Sequence, residues 1–233
     1  MLSLLSQTPA YVPTTLAAVT PRAAVSMETK EELAVALNPI VGYFDPLGLG
    51  ESDFWGAGKD ATYGFLRAAE IKHGRVAMFA FCGYVAQYNG LHFPYLIGQP
   101  TSGATPEEQW FNLPTEGRLQ IILFIGFLEF WGEFATTHYM RGGKPGVYPS
   151  FAPVNGMSIP FPRGSPSLYD PFGIASKMSP EKKEKGLLAE INNGRLAMIG
   201  IMGFMAEAKV PGAVPAIAGL IKPFAGDVMA PLV

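Results

Sequence analysis

The chain is poor in charge, in histidine and in cysteine. Asp, Glu, Lys and Arg make up 15% of its 233 residues, against roughly 25% in an average soluble domain. A coiled coil, which needs charged flanks, is excluded. The single cysteine, Cys82, can form no internal disulfide and no multi-cysteine metal cluster. It sits in an apolar run and is expected to be inert packing. The three histidines, His73, His92 and His138, form no HExxH motif. There is no GxxxxGK[ST] and no GxSxG, and Gly48-Leu49-Gly50 lacks the third glycine of a dinucleotide loop. Nothing assembles a nucleophile, a base and an oxyanion site, so no enzyme is expected. A net charge of −2 leaves no basic excess to hold a phosphate backbone, which excludes nucleic acid as a partner.

What is there is apolar: 48% of residues, too many for a disordered chain, with a mean hydropathy of +0.20. Three stretches stand out, Val76–Ala86, Leu119–Ala135 and Leu196–Ala206. Extended backwards they become Phe65–Gln87, Thr115–His138 and Glu184–Ala208. Each then reaches the roughly 20 residues that cross a bilayer. The extensions bring in Glu70, Arg75, Glu190 and Arg195, charges that at such depth are costly and paired. Between the first and second stretches, Tyr88 to Gly117 contains no Lys or Arg. Between the second and third, seven bases appear: Arg141, Lys144, Arg163, Lys177, Lys182, Lys183 and Lys185. Such one-sided loops point to a membrane protein. The expected organisation is an N-terminal arm over 1–40, a three-span domain over 41–210 and a surface segment over 211–233. Residues 1–27, with one base and no acid before Glu28, read either as the remnant of an organelle-targeting segment or as an ordered arm.

An internal repeat organises the rest. Residues 70–84 read EIKHGRVAMFAFCGY and residues 190–204 read EINNGRLAMIGIMGF, an offset of 120 with seven of fifteen positions identical. Phe44-Asp45-Pro46-Leu47-Gly48 and Tyr169-Asp170-Pro171-Phe172-Gly173 echo each other ahead of the two copies. One span separates the copies, so the first and third helices point the same way, and their symmetry axis runs along the membrane normal. Glu70 and Arg75 lie about 140° apart around one helix and cannot meet within it. The repeat instead predicts swapped pairs, Glu70 with Arg195 and Glu190 with Arg75. Gly74 and Gly194, between the charges, let two crossing backbones approach.

Glu70 and His73 share a helix face, as do Glu190 and Asn193. Each helix therefore presents a carboxylate and, one turn on, a second Lewis base. A bare ion wants several converging ligands, whereas these diverge. One donor per metal fits a magnesium already held by a macrocycle and lacking an axial ligand. In an apolar setting that is a chlorophyll-like pigment. The middle span adds Gln120 and Glu129, on opposite faces and ~13.5 Å apart along the axis, with Glu133 on the face of Glu129. Glu207 ends the third span.

EIKHGRVAM with EINNGRLAM, preceded by FDPLG and YDPFG, resembles the light-harvesting chlorophyll-binding superfamily, in particular its chlorophyll a/c antennae of the fucoxanthin or peridinin type. The resemblance covers about Val41 to Met229. It implies an all-α membrane protein of three transmembrane helices. The first and third are crossed as a parallel pseudo-two-fold repeat and locked by Glu70–Arg195 and Glu190–Arg75. It implies chlorophyll magnesium ligands at Glu70, His73, Gln120, Glu129, Glu190, Asn193 and Glu207, the last at a position where the family often has Gln. It implies chlorophyll a, chlorophyll c and a fucoxanthin- or peridinin-type carotenoid, the carotenoids lying beside the crossed helices near the two Asp-Pro motifs. The expected setting is the plastid thylakoid membrane among its lipids and neighbouring antenna subunits. Excitation would pass to a photosystem core, with HYMRGGKPG and YPSF most like photosystem I antennae. The alternative is a photoprotective relative that dissipates excitation. A small transporter is the rival of another class, and it needs a water-lined path that single outward ligands do not offer.

Overall fold

The computed structural model describes residues 30–91, 105–134, 137–147 and 174–227. His92, the second Asp-Pro motif and the arm before residue 30 lie outside the described residues. Among the described residues the chain is helical, with no β-strand. It divides after Tyr43 into two units. The first contains helix α1, Lys30–Leu37. The Asn38 side chain follows it and accepts from the amides of Ile40 and Val41 (3.0 and 3.2 Å).

The second unit opens on the first Asp-Pro motif. Asp45 accepts from the amides of Leu49 and Gly50 through its two oxygens (3.0 and 2.8 Å). Gly48 takes the left-handed conformation, φ +64, that lets the chain turn back onto this carboxylate. Helix α2 then runs from Lys59 to Tyr88, 30 residues and therefore about 45 Å. It ends where Gly90, at φ +78, lets the Leu91 amide bond back to Ala86 (2.9 Å). Helix α3, Pro106–Asn112, is a short element that the hydropathy pattern does not announce. Thr105 and Glu108 form a reciprocal capping box at its start, with Pro106 in the first turn. Helix α4 spans Thr115–Phe134. A single turn, α5 (Ile174–Lys177), precedes α6, Pro180–Lys209, also 30 residues. Ser179 caps α6 by accepting from the Lys182 amide.

The core is the contact between α2 and α6. On α2, Ala61, Gly64, Ala68, Ile71, Gly74, Ala77 and Tyr84 form a buried stripe of mostly small residues. Ile191 and Gly194 face it from α6. Farther along, the Phe204 ring stacks on both Phe81 and Tyr84, with centroids 5.0 Å apart in each pair. Gly200 lies under Phe81, where an added Cβ would come within 2.8 Å of the ring.

Helix α4 is different. Only Arg118 and Trp131 are buried on it. Leu123 is 69% exposed, and Phe124, Ile125 and Phe130 are also exposed. The outer flanks of the crossed helices are similarly bare, with Phe79 82% and Ile199 73% exposed. Cys82 belongs to this outer flank. The expectation that it packs inside the protein is therefore corrected: Cys82 is exposed.

By length and composition one stretch, Thr115–Arg141, which begins as α4, qualifies to cross a membrane, at a mean hydropathy of 1.4. Helices α2 and α6 are long enough but carry charges on their inner halves. Those charges lower their hydropathy, whatever partners they find.

The chain after α6 folds back. A single 3-10 turn, Pro215–Ile217, follows the helix, and the Phe224 amide returns to the Ala208 carbonyl (2.8 Å). The Tyr88 hydroxyl donates to the Leu220 carbonyl and accepts from the Lys222 amide (2.9 and 3.0 Å). Phe111 of α3 stacks on Phe224, centroids 5.8 Å apart.

Candidate functional site

Identical Glu and Arg residues stand on either side of the two glycines at the α2–α6 crossing. Arg195 Nε donates to Glu70 Oε1 at 2.7 Å. Arg75 Nε donates to Glu190 Oε1, and its Nη1 donates to the Gly146 carbonyl at 2.8 Å. A further cation, Arg67, pairs with Glu70 Oε2 from three residues earlier on the same helix. Sequence reasoning passed over Arg67, although an i,i+3 Arg–Glu spacing is itself the signal for such a pair.

Glu70, Arg75 and Glu190 are half-buried, with Glu70 24% and Glu190 29% exposed at the side chain, and Arg195 is exposed. Each carboxylate is neutralised where apolar surface surrounds it, which is the condition for keeping a charge there. Glu70 has both oxygens engaged by guanidinium groups. Glu190 Oε2 has no partner among the described residues, so that carboxylate keeps a free edge.

His73 is exposed, one turn along α2 from Glu70. Its Nδ1 lies 2.8 Å from the Ala69 carbonyl. A carbonyl can only accept, so this bond places the proton on Nδ1. Nε2 is left as an outward lone pair, the tautomer that a metal-ligating imidazole requires. Asn193 and Gln120 are exposed and have no hydrogen-bond partner among the described residues.

Glu129 is exposed on α4. Its Oε2 accepts from Lys72 Nζ at 2.7 Å. Lys72 also reaches Glu133 Oε1 at 3.1 Å. Glu133 further accepts from the Tyr139 hydroxyl (3.2 Å) and pairs with His138 Nε2 (2.6 Å). Lys72 carried no signal in the sequence, because its partners lie 57 and 61 residues away.

Glu207 is 1% exposed and turns inward. Its two oxygens accept from the amides of Gly212 and Val214 (2.9 and 3.0 Å). This carboxylate closes the loop leaving α6 and offers no face to a large ligand. A Gln, with one acceptor oxygen, would close half of it.

The donor set suits a magnesium macrocycle. The candidate donors are carboxylate and amide oxygens and one imidazole, bases of the kind a magnesium accepts. Among the described residues no three His, Cys, Asp or Glu side chains converge on a point that could hold a bare ion.

The comparisons point the same way. The family model for chlorophyll A-B binding proteins matches residues 29–209. The fucoxanthin-chlorophyll a-c binding protein F, chloroplastic, of Phaeodactylum tricornutum is 32% identical, over 89% of this chain and 93% of its own. The fucoxanthin-chlorophyll a-c binding protein of Trieres chinensis is 29% identical, over 84% of this chain and 88% of its own. Protein D of the same description from Macrocystis pyrifera is 29% identical, over 79% of this chain and 90% of its own. The chain thus belongs to the chlorophyll A-B binding protein family.

Proposed function

We propose that the protein is a light-harvesting antenna that binds chlorophyll a, chlorophyll c and fucoxanthin in the plastid thylakoid membrane. Helices α2, α4 and α6 are its three membrane spans, with α2 and α6 a crossed parallel pair. The observation that carries the reading is His73: an imidazole with Nδ1 committed to its own helix and Nε2 presented on an apolar, outward flank. Such a lone pair binds one axial position and nothing more. The proposed magnesium ligands are Glu70, His73, Gln120, Glu129, Glu190 and Asn193. Glu207 leaves this set because it is buried, 1% exposed, with its oxygens on the loop after α6.

When bound, the pigments supply light absorption and excitation transfer. The chain's part is placement. It fixes donors at helical spacings and neutralises the two anionic ones at the crossing. The names of the relatives support the pigment set. Photosystem I is proposed as the acceptor, with neighbouring antenna subunits beside it. The support for that choice is the sequence HYMRGGKPG after α4.

The test is an absorption spectrum of the purified protein with extraction of its pigments. Chlorophyll a and c bands with a fucoxanthin shoulder are expected. A folded, colourless protein would sink the proposal. Fluorescence lifetime then separates harvesting from dissipation, with a long lifetime expected. Co-purification with photosystem I instead of photosystem II tests the partner.

A further inference from the structure

Lys72 breaks the internal repeat. At the offset of 120 its counterpart is Asn192, so only one of the crossed helices carries a cation at this position. That cation reaches α4, where apolar packing is sparse: Lys72 Nζ bridges Glu129 and Glu133, one turn apart. The two carboxylates are not equivalent. Glu133 has both oxygens engaged, by Lys72 and Tyr139 on Oε1 and by His138 on Oε2. Glu129 uses Oε2 alone, and its Oε1 has no partner among the described residues. Its side chain is 53% exposed, against 30% for Glu133.

We propose that Lys72 is a positioning residue for a magnesium-tetrapyrrole ligand at Glu129, supplying from α2 the counter-charge that α4 lacks. This rests on the assignment of Glu129 as a pigment ligand made above. Glu133 is the fixed anchor of the bridge, and Glu129 is its open arm. An uncompensated carboxylate on an apolar flank is costly and draws in water or a proton. With Lys72 on Oε2, Glu129 has a cation in contact, shared with Glu133, and its Oε1 has no partner among the described residues. Gln120, the other donor on α4, is uncharged and needs no such partner.

The full chain is reconstituted with chlorophyll a, chlorophyll c and fucoxanthin, and its chlorophyll stoichiometry and visible circular dichroism are measured. Lys72→Gln is expected to lose one chlorophyll per chain and the band that goes with it, while Lys72→Arg keeps both. The double variant Lys72→Gln/Glu129→Gln is expected to regain that chlorophyll, because a neutral amide oxygen ligates without a counter-charge. A purely structural tie makes the opposite prediction, since the double variant cannot restore a bridge between α2 and α4. Full pigment in Lys72→Gln, or a double variant that stays depleted, overturns the proposal. If Lys72→Gln does not reconstitute at all, the double variant still decides. Glu129→Leu is the separate control: if it keeps every chlorophyll, the ligand assignment of Glu129 fails, whatever Lys72 does.

Discussion

Gly74 and Gly194 meet backbone to backbone. A Cβ built on Gly194 would lie 2.9 Å from the Gly74 Cα, and one built on Gly74 would lie 3.1 Å from the Gly194 Cα. Backbone cannot move aside as a side chain can. The two helices therefore cross at the distance that two hydrogens allow.

Gly194→Ala is expected to push α2 and α6 apart. Overpacking of this kind costs about 1–3 kcal/mol. Thermal loss of visible circular dichroism in the pigmented protein measures it, and the midpoint should fall. Gly186→Ala, on the same helix with open space around it, should hold or raise the midpoint through helix propensity, by up to ~1 kcal/mol. Equal losses in the two variants would show that the crossing contact is not the cause.

Glu190→Ala takes the carboxylate from one guanidinium, Arg75, which keeps the Gly146 carbonyl. Glu70→Ala strands two, Arg67 and Arg195. Removing one partner of a buried pair costs about 3–5 kcal/mol, and the partial exposure of these groups places Glu190→Ala near the lower figure. Glu70→Ala should be worse. Thermal midpoints of the two variants, measured side by side, test the order. A milder effect for Glu70→Ala would mean that Arg67 is satisfied elsewhere.

His73→Ala separates pigment from fold. Its one hydrogen bond among the described residues is to Ala69 on the same helix, so the chain itself should lose no more than ~0.5 kcal/mol. One chlorophyll per chain is expected to disappear on extraction, with the carotenoid content unchanged. Added imidazole should restore part of the lost band. An unchanged chlorophyll count would remove His73 from the ligand set.

Glu207→Ala frees the amides of Gly212 and Val214. Hydrogen exchange at those two positions should accelerate at least tenfold. Glu207→Gln should protect one of them. The chlorophyll count should stay constant in both variants, and a lost chlorophyll would return Glu207 to the ligands.

The repeat made much of this site legible. An identical Glu and Arg five residues apart cannot meet on one helix, so two copies at a fixed offset point across to each other. The same repeat marks His73 and Asn193 as polar groups one turn from a paired charge, and both are exposed. What escaped the sequence is long-range or inward. Lys72 finds its partners on another helix that shares no repeat with it. Glu207 reads as a helix-end donor, and only the returning loop reveals that its oxygens are taken. Helix α3 is announced by its capping box and not by hydropathy, because seven residues are too few for a periodic signal. Hydropathy alone finds one span, because the charges of α2 and α6 count against them even when paired across the crossing.

The bare flank of α4 has a thermodynamic consequence. A helix with two buried residues gains little apolar packing from its own chain, so beyond the Lys72 bridge its place in the fold depends on the molecules that cover it. Binding and folding are then one equilibrium, as in small metalloproteins that stay unfolded without their ion. The amount of native protein follows pigment supply by mass action. A cell that makes polypeptide faster than pigment would accumulate an unfinished chain, recognisable to proteases by the same apolar surface that was meant for chlorophyll.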